Sequence, residues 1–220
     1  MDSQHALNAK TGKWGDASPV KEIIAQISGL VKTLDYSSLT NDFSKELEML
    51  ICSSPKEFDS FLVVMDTLLK KYFWCIPASG KQFEDVSLYE YIRTTTAITA
   101  ALMKAGQKDV PFVMAAGHFS GIQNYIFSVS KVGTGGVAKR LRARSFYVNA
   151  MVSALAHCII RKSGLPMVNI LMLTGGKFYL LLPNTDDIDN LLNKVEQQVS
   201  VFLYEKFKGN LSMELVWEKV

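Results

Sequence analysis

The hydrophobic periodicity of this 220-residue chain changes character near Asp109. Before that point apolar residues recur every three or four positions, the spacing of one helix face. After it, short apolar runs bounded by glycine and proline alternate with helical stretches. A single switch of this kind points to an α+β chain with a helical N-terminal region. Residues 1–18 hold Gly12, Gly15 and Asp16 with little periodicity and read as a flexible start. A helix is expected over 19–34, with Ser18 as cap, Pro19 in the first turn and Val20, Ile23, Ile24, Ile27, Leu30, Val31 and Leu34 on one face. Further helices are expected over 39–51, over 56–74 and from about Val86, with 77–81 as a linker, so that 19–105 forms one helical region.

Beyond Asp109 the pattern predicts a strand over 110–115, a short helix over 121–129, a glycine-rich break at 131–136 and a long helix over 137–163. Strands over 168–174 and 177–182 are joined at Gly175-Gly176, a dipeptide that tolerates the positive φ angles of a tight hairpin. Thr185 is expected to cap a last helix, and 211–217 alternates as a last strand. Strand, helix, strand, strand, helix, strand over 109–220 is the order of the ferredoxin-like split βαβ domain. Right-handed crossovers then place both long helices on one face of a four-stranded antiparallel sheet, with the hairpin in its interior.

Charge is unevenly spread. Residues 1–109 carry −2 and residues 186–220 carry −3, but no Asp or Glu lies between Asp109 and Asp186. In that stretch Lys131, Lys139, Arg140, Arg142, Arg144, Arg161, Lys162 and Lys177 sum to +8. Uncompensated cations over such a length suit an anionic partner; the competing reading is a solvated face. Cys52, Cys75 and Cys158 are an odd set without the spacing of a disulfide framework or zinc site, and are expected to be ordinary buried side chains in a reducing, cytoplasmic setting. The polar start lacks the apolar core of a signal peptide, and no apolar run reaches the roughly 18 residues of a membrane span, so no membrane partner is expected.

Two places in such a fold suit nucleotide chemistry: the end of the first strand and the central hairpin. The first reads Ala116-Gly117-His118-Phe119-Ser120-Gly121-Ile122-Gln123, where Ser120 and Gly121 are expected to open a helix whose N–H groups could meet a phosphate; Ser120 as a plain cap is the alternative. The second reads Thr174-Gly175-Gly176-Lys177-Phe178. In nucleotide-cyclase and polymerase palms this turn presents acids to two metal ions. Lys177 stands where a carboxylate is needed, and His118 stands where the first strand usually offers Asp. No catalytic or metal-binding residue is therefore expected in this chain. Lys139, Arg140, Arg142 and Arg144 could reach phosphate, RNA or a partner protein, or lie solvated. His157 reads as a core or boundary residue.

The segments Gly117 to Gln123, Ala138-Lys139-Arg140-Leu141-Arg142-Ala143-Arg144-Ser145-Phe146-Tyr147 and Gly175-Gly176-Lys177-Phe178-Tyr179-Leu180 together resemble the first palm domain of the large subunit of type III CRISPR effector complexes, of the Csm kind. Trp74-Cys75-Ile76-Pro77-Ala78, with Asp85 to Tyr89 and Arg93-Thr94-Thr95, resembles the stretch that leads into that palm. The resemblance covers about residues 70–220. It implies a parent protein with two palms that bind ATP between them, the second making cyclic oligoadenylate when target RNA is present. It implies Ser120, Gly121, Gln123, Gly175, Gly176 and Lys177 as nucleotide-binding, with Mg or Mn supplied only through the other palm. Implied partners are that second palm, other effector subunits, guide RNA and target RNA. Glu90-Tyr91 departs from the family's frequent Asp-His, and there is no His-Asp dipeptide for the family's nuclease site. A chain ending at Val220 is expected to be a fragment or one part of a split protein. An RNA-recognition module stacking bases on Phe178 and Tyr179, and an architectural docking domain, are the other readings.

Overall fold

The computed structural model describes residues 35–53, 57–79, 83–128 and 136–220. The expected flexible start, the helix over 19–34 and most of the glycine-rich break lie outside the described residues. The chain divides into two compact units, Met1–Tyr89 and Glu90–Val220.

In the first unit, α1 (Tyr36–Cys52) and α2 (Phe58–Phe73) pack through Leu50, Leu68 and Tyr72, flanked by Phe43, Phe61 and Met65. Asp35 starts α1 by accepting the backbone N–H groups of Ser37 and Ser38 at 3.0 and 3.3 Å, satisfying two donors that the first turn would otherwise leave open. Glu46 on α1 accepts from Lys71 and from the Tyr72 hydroxyl on α2. The bond from Lys71, then that from Tyr72, holds its carboxyl below the usual carboxylate range. The expected linker is instead an antiparallel pair, β1 (Pro77–Ser79) with β2 (Phe83–Ser87). The next helix consequently starts two residues later than the periodicity suggests, as α3 (Leu88–Ala105).

The second unit follows the expected order. After α3, nearly all of which belongs to it, its elements are β3 (Phe112–Ser120), α4 (Ile122–Phe127), α5 (Val137–Lys162), a 3-10 turn (Met167–Asn169), β4 (Ile170–Thr174), β5 (Lys177–Pro183), α6 (Ile188–Phe207) and β6 (Ser212–Lys219). The sheet is antiparallel in the order β4-β5-β3-β6. Only the second hairpin strand is interior, because β3 pairs with both β5 and β6 and leaves β4 at an edge. This corrects the expectation of a wholly interior hairpin. The first strand runs to Ser120, well past the expected end at residue 115, because pairing with β6 continues to the Ser120–Ser212 pair.

Helices α5 and α6 share one core with one face of the sheet: Val148, Val152, Leu155 and Ile159 of α5 and Ile188, Leu192 and Leu203 of α6 meet Val113, Ala115, Phe178, Leu180, Leu182 and Leu215. Burying each large side chain stabilises the fold by about 1.5–3 kcal/mol. Thr185 does not cap α6. Asp187 occupies that position without a side-chain bond, and the Thr185 carbonyl accepts from the Ile188 N–H instead.

The opposite sheet face is divided. Ala97 and Ala101 of α3 pack on Leu181, with Phe112, Met114, Val168 and Leu171 around them. Arg93 donates to the Ile170 carbonyl, and buried Asn169 donates to the carbonyls of Ala97 and Leu181, both at 2.9 Å. These bonds hold α3 to the β4–β5 side. At the Gly175-Gly176 end, by contrast, side chains of this face are open.

Candidate functional site

Cross-strand register decides what meets on that open end, since directly paired residues project to the same side of a sheet. His118 pairs with Lys177 on one side and with Glu214 on the other, so these three form a row across β5, β3 and β6. All three are exposed. Ser120, two residues along β3, shares the face, and its Oγ lies 3.4 Å from His118 Nδ1. A second row, Tyr179, Ala116 and Val216, lies toward α3 and is apolar. Val216 keeps 59% of its surface and Tyr179 39%.

Glycine sets the geometry. At Gly117 a side chain would run into the Phe178 ring, which lies across the strand on the helix-facing side. Gly121 has φ +82°, and a Cβ there would collide with the Asn210 carbonyl. Both constraints hold the end of β3 tightly between its neighbours. Thr174 and Lys177 pair across the two-residue turn, and the Phe119 N–H donates to the Gly176 carbonyl at 2.9 Å. The structure thus brings the Ser120-Gly121 end of β3 beside Gly175, Gly176 and Lys177, while among the described residues no hydrogen bond ties Gln123 to that turn.

Ser120 does not open a helix. It is the last residue of β3, the N-cap of α4 is Gly121, and α4 is only six residues long. A helix does begin here, but at Gly121, one residue later than expected, and Ser120 is not its cap: pairing with Ser212 keeps Ser120 in the strand and places its hydroxyl beside the imidazole.

The four cations of α5 do not act together. Arg144 donates to the Tyr125 carbonyl at 2.7 Å and to Ser128 Oγ at 3.1 Å, and lies over the Tyr125 ring, fastening the end of α4. Lys139, Arg140 and Arg142 are exposed. Phe178 is fully buried and cannot stack on a base. His157 is half-buried on α5, as a boundary residue. The cysteines are not buried: Cys52 is exposed and Cys75 and Cys158 are half-buried. Glu214 was not visible as a site residue from the sequence; its alternation on β6 gives its face, but only the register gives its neighbour.

Chemically, the row offers an ammonium, an imidazole and a hydroxyl close to a tight glycine turn, with a carboxylate at the β6 edge. Among the described residues no group of three or more His, Cys, Asp or Glu could hold a metal ion. No helix among them is long and apolar enough to cross a membrane.

The family model for Csm1 subunit domain B matches residues 111–220. The single-strand-specific deoxyribonuclease Cas10/Csm1 (subtype III-A) of Thermococcus onnurineus (strain NA1) is 30% identical over 201 residues, covering 86% of this chain and 24% of that protein. Its counterpart in Streptococcus thermophilus is 28% identical over 204 residues, 83% of this chain and 26% of that protein. A Csm1–Csm4 cassette in complex with pppApApA superposes with a TM-score of 0.72 at 30% identity over 84% of this chain and 26% of that one. The same kind of cassette with one ATP gives 0.71 at 29% identity, over 84% and 25%. The chain spans about a quarter of the length of these relatives. With half of its residues matched by the family model, including every element from β3 to β6, the chain belongs to the Csm1 domain B family of type III CRISPR effector proteins.

Proposed function

We propose that residues 109–220 are a degenerate ferredoxin-like palm that supplies one half of an ATP-binding pocket, the other half coming from a second, catalytic palm. The observation that carries this reading is the placement of Ser120, His118 and Lys177 on one open sheet face beside the Gly175-Gly176 turn. The strand order β4-β5-β3-β6 with α5 and α6 on one side supports the palm assignment. The related cassettes solved with ATP and with oligoadenylates support the ligand. Lys177 and Ser120 meet the triphosphate. The apolar row of Ala116, Tyr179 and Val216 is the kind of exposed patch that a second domain covers. The metal ions needed for nucleotidyl transfer come with the acids of the other palm, because Lys177 would repel them here.

In this reading the parent protein is the large subunit of a type III effector. It assembles with a Csm4-type subunit, guide RNA and target RNA, makes cyclic oligoadenylate, and acts on single-stranded DNA through a nuclease site outside this chain.

Half a pocket binds weakly, and association costs are not reduced, so ATP affinity near millimolar is expected, about −4 kcal/mol. Ligand-observed NMR at fixed salt tests it. Ser120 makes no capping bond, so Ser120→Ala removes one hydroxyl group without loosening a helix and should weaken ATP several-fold. Ser120→Asp and Lys177→Glu, which set a negative charge against the phosphates, should reduce binding below detection. Unchanged ATP binding in all three variants would remove the nucleotide from this face and leave an architectural docking domain.

A further inference from the structure

The outer face of the first half of α5 sets three cations around an exposed ring. Lys139, Arg142 and Phe146 are three and four residues apart and lie on one side of the helix, opposite the buried Val148, Val152 and Leu155. They span about 10 Å along its axis. Arg140 flanks them. Phe146 is 75% exposed, an unusual position for a phenyl ring, and Phe127 at the end of α4 is 68% exposed. Five cations elsewhere pair with acids: Lys45 with Asp42, Lys71 with Glu46, Arg93 with Glu90, Lys108 with Asp186 and Lys219 with Asp189. Among the described residues no such pair involves Lys139, Arg140 or Arg142, which lie in the stretch without any Asp or Glu. Arg144, the remaining cation of that cluster, is occupied with Tyr125 and Ser128.

We infer that this face is a track for single-stranded DNA, with Lys139, Arg140 and Arg142 on successive phosphates and Phe146 stacked on a base. Unmatched cations attract a polyanion, but they do not explain an exposed ring among them. A ring between phosphate-binding cations suits an unpaired strand, whose bases present π faces; a duplex hides them. An acidic protein surface would use the cations and leave the ring in water. None of the contacting groups requires a ribose 2′-hydroxyl, and DNA is the single strand on which the proposed parent protein acts, so the inference rests on that reading for its choice of polymer. The track lies on α5, separate from the proposed ATP face of the sheet.

Fluorescence anisotropy on the full 220-residue chain tests it, with labelled dT15, rU15 and a 15-base-pair duplex. The expected result is salt-dependent binding of dT15, at least as tight as rU15 and tighter than duplex. Lys139→Ala/Arg140→Ala/Arg142→Ala should weaken dT15 at least tenfold and make the slope of log affinity against log salt shallower by about two, near 0.7 for each phosphate no longer neutralised. Phe146→Ala should weaken dT15 about fivefold with the slope unchanged. All four side chains are exposed, so circular dichroism melts should match the parent chain. Failure of dT15 to bind, binding unaffected by both variants, or preference for rU15 or duplex would each overturn the inference. ATP titrations of the same variants separate it from the nucleotide reading: α5 variants should bind ATP normally, and Ser120→Ala should bind dT15 normally.

Discussion

The two faces of the four-stranded sheet differ in burial although they come from the same strands. On the helix side, Val113, Ala115, Phe178, Leu180 and Leu182 have no exposed surface at all. One residue along each strand, on the other side, His118, Lys177 and Tyr179 stand in solvent. That second face is itself split, since α3 seals it around Leu181 and Met114 and leaves it open at the glycine turn. Strand alternation lets one segment, Lys177-Phe178-Tyr179, place a charge and an amphipathic ring outward and a core ring inward. In the proposed reading, stability and nucleotide binding can therefore be altered separately, residue by residue, according to the side each one faces.

Substitutions can break or sharpen that separation. The largest expected effect is Phe178→Ala, which opens a cavity under the sheet and should cost about 3–5 kcal/mol in urea unfolding. A loss under about 1 kcal/mol would mean that the inward face is not packed as described. Gly117→Ala attacks the same packing from the other strand. The new methyl collides with a ring that is completely buried and has nowhere to move, so about 1–3 kcal/mol should be lost. Asn169→Ala leaves the Ala97 and Leu181 carbonyls without their buried donor and should cost about 2 kcal/mol, with faster amide exchange in α3 than in α5. If α5 loosens as much as α3, the bond is not specific to the α3 cover.

On the open face the expectation reverses. Lys177→Glu should leave the unfolding midpoint unchanged while ATP binding disappears, and a midpoint shift comparable to that of Gly117→Ala would contradict the division of faces. The smallest effect concerns Asp189, held below the usual carboxylate range by the bond from Lys219 and then by that from Trp217. A depressed carboxyl contributes stability above its unfolded value, and the contribution fades as pH falls below about 4. Being partly exposed, it should be slight. The acid limb of the stability curve should flatten slightly in Asp189→Asn, and an unchanged limb would show the bond to carry no linkage.

The sequence by itself determined the order of elements in the second unit, because apolar spacing and glycine are local signals: a run at three and four makes α5, and adjacent glycines at 175 and 176, both with positive φ, make the turn. It also determined what the turn lacks, since a lysine in place of an acid is visible without coordinates, and it showed the acid-free stretch in which Lys139, Arg140 and Arg142 stay unmatched by acids in the fold. Periodicity failed where a neighbouring strand outweighs local preference. Ser120 looks like a helix start, but pairing with Ser212 draws it into β3; residues 77–81 look like a linker, but Pro77 and Ser79 pair with β2. Only the tertiary structure decided which residues share a face at the site. Glu214 lies 96 positions from His118 in the chain and becomes its neighbour through register alone, because Met213 and Leu215 on either side of it are buried in the core and the pleat turns every second side chain away from it.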